Sequence, residues 1–106
     1  MMDKKTFDLY VLQFEELEKL LNTEWLDMKK LLESNHIDLT TTHFISYMEG
    51  EDGIQYGVLF SKNKEVITFQ IDENDNIELK LVKDSNELER LKINDPSIEA
   101  ALTYFN

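Results

Sequence analysis

The chain has 106 residues, 42% of them hydrophobic, and carries 22 Asp plus Glu against 11 Lys plus Arg, a formal net charge of -11. This length suffices for one domain with its own core, so residues 1–106 read as a single domain. The lack of cysteine excludes disulfides, thiolate nucleophiles and Cys-ligated metal centres, and the acidic balance disfavours direct binding to nucleic acid or anionic membrane while favouring a partner with a basic surface.

Met1 to Thr6 leads into an amphipathic pattern, without the apolar run and small-residue cleavage site of a signal peptide. No stretch is long enough to span a bilayer. The expected location is therefore the cytoplasm.

Phe7, Tyr10, Val11, Phe14, Leu17 and Leu21 recur in steps of three and four, which predicts a helix from Lys4 to Leu21 with Asp3 or Thr6 as its cap. Asn22-Thr23 interrupts the pattern. Thr23 and Glu24 have the chemistry of a new helix start, and Trp25, Met28, Leu31 and Leu32 continue at helical spacing, so a second helix is expected from Glu24 to Ser34. Trp25, the largest apolar side chain, lies near this chain reversal and is a candidate partner anchor as well as a candidate core residue.

Between Thr42 and Lys83 the periodicity changes to two. Strands are expected at His43–Glu49, Ile54–Ser61, Glu65–Ile71 and Ile77–Lys83, forming an antiparallel meander. Ile54, Tyr56, Val58 and Phe60 share one face, as do Ile67, Phe69 and Ile71, and Ile77, Leu79 and Leu81. Gln55, Ser61, Thr68, Gln70, Glu78 and Lys80 occupy the alternate positions, which implies one buried face and one wet face.

Two-residue turns at Asp52-Gly53 and Lys62-Asn63 bring Ile45 and Tyr47 to the inward face of the second strand, and pair Val58 with Ile67 and Tyr56 with Phe69. A reversal over Asp72–Asn76 pairs Ile71 with Ile77, Phe69 with Leu79 and Ile67 with Leu81. The first strand fits less cleanly, because Phe44 and Met48 fall on the opposite face. Either a C-terminal helix covers part of that face or an apolar patch is exposed.

Asp84-Ser85-Asn86-Glu87 resembles a capping box, and Asp95-Pro96 combines a capping side chain with proline at the first helical position. Helices are expected near Ser85–Lys92 and Pro96–Tyr104. The fold class is α+β, with an N-terminal helical pair, a four-stranded antiparallel meander and one or two C-terminal helices packed on the sheet.

Alternate turns of a meander share an end. Glu49, Glu51 and Asp52 therefore lie at the same end as Asp72, Glu73 and Asp75, and Lys62 and Lys64 lie at the other. The carboxylate end fits an Arg- or Lys-rich protein partner. Asp72-Glu73-Asn74-Asp75-Asn76 begins like a calcium loop but has Ile77 where glycine makes the turn and Lys83 where a glutamate is needed, so no metal is assigned.

His36 and His43 match no ligand spacing, and capping or surface roles outweigh catalysis. No serine lies in a nucleophile motif, and three glycines build no phosphate cradle. No catalytic residue or cofactor is assigned. The expected function is protein binding without catalysis, as an inhibitor, immunity-type or adaptor protein, including a phosphate-mimicking inhibitor of a nucleic-acid enzyme. A homodimer through the wide N-terminal helix face or the first strand is the alternative, followed by a small enzyme using His36 or His43.

Overall fold

The computed structural model describes residues 2–105. In chain order the elements are α1 (Lys4–Thr23), α2 (Leu26–Ser34), β1 (Thr42–Glu49), β2 (Gln55–Ser61), β3 (Val66–Ile71), β4 (Ile77–Val82), α3 (Ser85–Asn94) and α4 (Ser97–Tyr104). The strands form one antiparallel sheet in the order β1-β2-β3-β4. The expected α+β architecture is present, with helices packed on the meander.

Asp3 starts α1 by accepting from the Thr6 amide at 2.8 Å. At the other end, Asn22 Nδ2 and Thr23 Oγ1 donate back to the carbonyls of Glu18 and Lys19. Thr23 thus closes α1 and does not cap α2, whose N-cap position is taken by Trp25 without a side-chain bond.

α2 ends with His36 in the left-handed region at φ 68, while the amides of His36 and Ile37 donate to the carbonyls of Glu33 and Leu32. These two bonds are a Schellman closure, which glycine accommodates without a Cβ penalty. His36→Gly is accordingly expected to raise unfolding stability by about 0.5–1 kcal/mol, read as a higher urea midpoint. An unchanged or lower midpoint would show that the imidazole itself stabilises the connector.

All three hairpins use one loop geometry. Gly50, Ser61 and Asp72 each donate an amide hydrogen bond four residues ahead, to Ile54, Glu65 and Asn76, and each accepts one from three residues ahead. The third loop residue has positive φ in every case: Gly53 at 81, Lys64 at 62 and Asp75 at 62. These are three-residue loops, each a turn followed by a left-handed residue.

The Asp72–Asn76 reversal and its register agree with expectation, with Ile71 opposite Ile77, Phe69 opposite Leu79 and Ile67 opposite Leu81. The two-residue turns expected at Asp52-Gly53 and Lys62-Asn63 are each one residue too short. In the structure Phe69 faces Gly57 and Ile67 faces Leu59, so Tyr56, Val58 and Phe60 lie on the opposite face from Ile67, Phe69 and Ile71.

The same shift overturns the expectation of one wet face at β2, while Glu78 and Lys80 of β4 remain exposed on that side as expected. Leu59 and its neighbour Phe60 are 0% and 1% exposed, which requires cover on both sides of the sheet. On one side Phe44, Leu59, Phe69 and Ile71 pack with Leu17 and Leu21 of α1 and Met28 and Leu32 of α2. On the other, Phe60, Val66 and Val82 pack with Ile98, Ala100 and Ala101 of α4 and Phe14 of α1.

A bulge lets β1 serve both layers. The register shifts between Phe44 and Ser46, making Ile45 the extra residue, and Phe44 and Ile45 are buried in different clusters. Gln13 of α1 donates to the Ile45 carbonyl at 2.9 Å, satisfying a group at the strand's outer edge.

The C-terminal caps follow their sequence signals. Asp84 accepts from the Asn86 amide at 2.8 Å, although Glu87 bonds Lys80 instead of completing a capping box. Asp95 accepts from both the amide and the hydroxyl of Ser97, whose side chain is fully buried, so this carboxylate starts α4 and satisfies a buried polar group together.

Candidate functional site

The topology places the β1–β2 and β3–β4 loops at one end of the sheet, two strand spacings or about 10 Å apart. Glu49, Glu51, Asp52, Glu73 and Asp75 are exposed there, with Asp72 half-buried. Lys62 and Lys64 lie at the opposite end, on the β2–β3 loop.

These carboxylates have different roles. Asp72 accepts from the amides of Asn74 and Asn76 at 2.9 Å and from Asn76 Nδ2 at 3.1 Å. The Asn76 backbone and side-chain hydrogen bonds hold its carboxyl below the usual aspartate range. Asp52 accepts from the Ile54 amide at 3.1 Å. Asp52 and Asp72 therefore shape their loops, whereas Glu49, Glu51, Glu73 and Asp75 enter none of the side-chain hydrogen bonds found among the described residues and present their charge outward.

Trp25 joins this end through α2. Its ring lies 4.6 Å from Tyr47 and 6.2 Å from Phe44 between centroids, on the sheet face that α2 covers. Gln55 Nε2 donates to the Tyr47 hydroxyl at 2.9 Å and fixes that ring beside Trp25. A cleft of about 500 Å³ opens here, with Trp25, Met28, Leu31 and Ile71 as apolar walls and Glu24, Asp27 and Asp75 as acidic ones. Lys30 is the one basic residue in its lining.

The structure thus brings two of the expected site residues, Trp25 and Asp75, into one cleft, and sets Glu49, Glu51, Asp52 and Glu73 at the same sheet end. Glu24 and Asp27 were not anticipated at the site. Their visible signal was the acidic start of the second helix beside Trp25, but where that helix folds back depends on contacts with the sheet.

The histidines do not converge on a site. His36 is an exposed helix closure, while His43 stacks on Phe105 with centroids 3.9 Å apart and an interplanar angle of 8°. His43 lines a separate cleft of about 580 Å³ with Phe14, Glu15, Glu18, Asp38 and Phe105. Asp38 there is engaged by Thr40, whose hydroxyl and amide hydrogen bonds lower its pKa. Among the described residues no three His, Asp or Glu side chains are grouped to hold a metal ion. Nor, among them, is any helix long and apolar enough to cross a membrane.

Comparison with protein-family models, curated proteins and solved structures yields no significant match. The class defined by fold and site is an α+β domain whose meander lies between two helical layers and carries an acidic, aromatic-walled cleft at one end.

Proposed function

We propose that this protein acts by binding a basic surface of another protein at its carboxylate end, without catalysing a reaction, as a cytoplasmic inhibitor, immunity-type or adaptor protein. One observation carries this reading: the junction of α1 and α2 sets Glu24 and Asp27 around the same apolar cleft that receives Trp25 and Asp75. An aromatic wall within a charged rim suits an arginine, whose stem and guanidinium plane pack on the indole while its donors meet carboxylates. The net charge of -11 adds long-range attraction for such a partner.

Affinity capture from native lysate tests the proposal, with wild type compared against Glu24→Gln/Asp27→Asn/Asp75→Asn. Asparagine at 75 keeps the left-handed loop conformation. The expected outcome is a basic partner held by wild type at about 50 mM salt, and lost on charge neutralisation or at about 0.5 M salt. A partner retained equally by the variant and at high salt would reject the electrostatic site.

A further inference from the structure

The two edges of the sheet are unlike. α1 contacts β1, and Gln13 caps the carbonyl of its bulge, but β4 forms the other edge. The Asp72 amide bonds the Asn76 carbonyl at 3.0 Å, so antiparallel alternation assigns Glu78, Lys80 and Val82 to the β3 ladder and turns the backbone groups of Ile77, Leu79 and Leu81 outward. No hydrogen bond among the described residues reaches those outward groups. Such an edge is a template for another strand.

We propose that β4 pairs antiparallel with β4 of a second copy of this chain, across a two-fold axis at Leu79, to give a continuous eight-stranded sheet. The charge pattern selects this occupant and this register. With Leu79 facing Leu79 of the second copy, Glu78 faces Lys80 and Lys80 faces Glu78, so both directions of the symmetric contact are complementary.

Ile77 then faces Leu81 on the α2 side of the sheet. The neighbouring hydrogen-bonding registers lie two residues away in sum and place Glu78 against Glu78 or Lys80 against Lys80. Like charges directly opposite disfavour both. Lys80 already donates to Glu87 at 2.5 Å, but an ammonium has three donors and can serve the second copy's Glu78 as well. Leu81 is 36% exposed, and its burial across the axis adds an apolar contribution.

This contact is independent of the carboxylate-end partner, and its readout requires only the purified chain. Sedimentation equilibrium at about 150 mM salt is expected to show a concentration-dependent dimer. Glu78→Lys and Lys80→Glu each place like charges opposite one another in the homodimer and are expected to weaken it about tenfold or more. Mixing the two variants restores opposite charges at every such pair and is expected to restore dimerisation.

Both positions are exposed, so the substitutions leave the core intact. Hydrogen exchange on the wild type supplies a second readout: protection of the Ile77, Leu79 and Leu81 amides should rise with protein concentration. A wild type that stays monomeric, a dimer indifferent to both substitutions, or amide protection independent of concentration would overturn the proposal.

Discussion

Gly57→Ala is expected to destabilise the protein by about 3 kcal/mol, the upper end of the usual range for overpacking, and to lower the thermal midpoint by roughly 12–24 °C for a domain of this size. Gly57 faces Phe69 across the β2–β3 ladder, and the ring lies directly over the missing side chain. A Cβ built at Gly57 falls 2.2 Å from Phe69 Cζ and 2.3 Å from Cε1, well inside van der Waals contact. Phe69 has little room to yield, being 3% exposed and packed 5.7 Å from Phe44 between ring centroids. The double variant Gly57→Ala/Phe69→Leu should recover part of the loss, since the shorter side chain vacates the space the methyl requires. Equal midpoints for wild type and Gly57→Ala in a thermal melt would contradict this packing and the register that produces it.

Ile98→Ala is expected to cost about 2–5 kcal/mol, the range for truncating a fully buried aliphatic side chain. Ile98 belongs to the cluster that joins α4 to Ile45, Phe60, Val66 and Val82 on the second face of the sheet. Were that face solvated, the same substitution would fall within about 0.5 kcal/mol of wild type. A urea denaturation series on both variants distinguishes the cases, and two large losses would establish that Gly57–Phe69 on one face and Ile98 on the other are both structural. The aromatic contacts of Phe105 with Phe14 and Phe60 extend the second layer to the chain's last described residue.

Much of this architecture was legible. Element order followed from the change of period at Thr42 and its return at Ser85, and the Asp95-Pro96 pair located α4 almost to the residue. Asp72–Asn76 fixed the last register correctly, because pairing Ile71 with Ile77 was the alignment that also matched Phe69 with Leu79.

The first two registers misled because strands buried on both faces lack a clean alternation. In β2 Val58 and Phe60 on one face and Gly57 and Leu59 on the other point into covered layers, so parity could not choose between loop lengths. The adjacent pairs Phe44-Ile45 and Leu59-Phe60 were the signal of two cores. Lys64 at positive φ gave no warning, since lysine is not a residue that announces a left-handed turn.

The site was legible in part for a related reason. Acidic loops reveal their end of a meander through topology alone, which placed Glu49, Glu51, Asp52, Asp72, Glu73 and Asp75 together. That Asp72 and Asp52 are committed to backbone amides is a matter of local geometry. The approach of Glu24 and Asp27 to Asp75 depends on how α2 folds over Phe69 and Ile71, a long-range consequence of packing that short spacing does not encode.

Trp25 is the chain's only tryptophan and lines the cleft beside Asp75, so its fluorescence reports the proposed docking site without a label. Titrating the captured basic partner into the protein at about 50 mM salt should shift or quench Trp25 emission to saturation, and about 0.5 M salt should reverse the change. For a partner whose own tryptophans have been replaced, saturable binding with unaltered Trp25 emission would place the interface elsewhere and contradict the assignment of function to the carboxylate end.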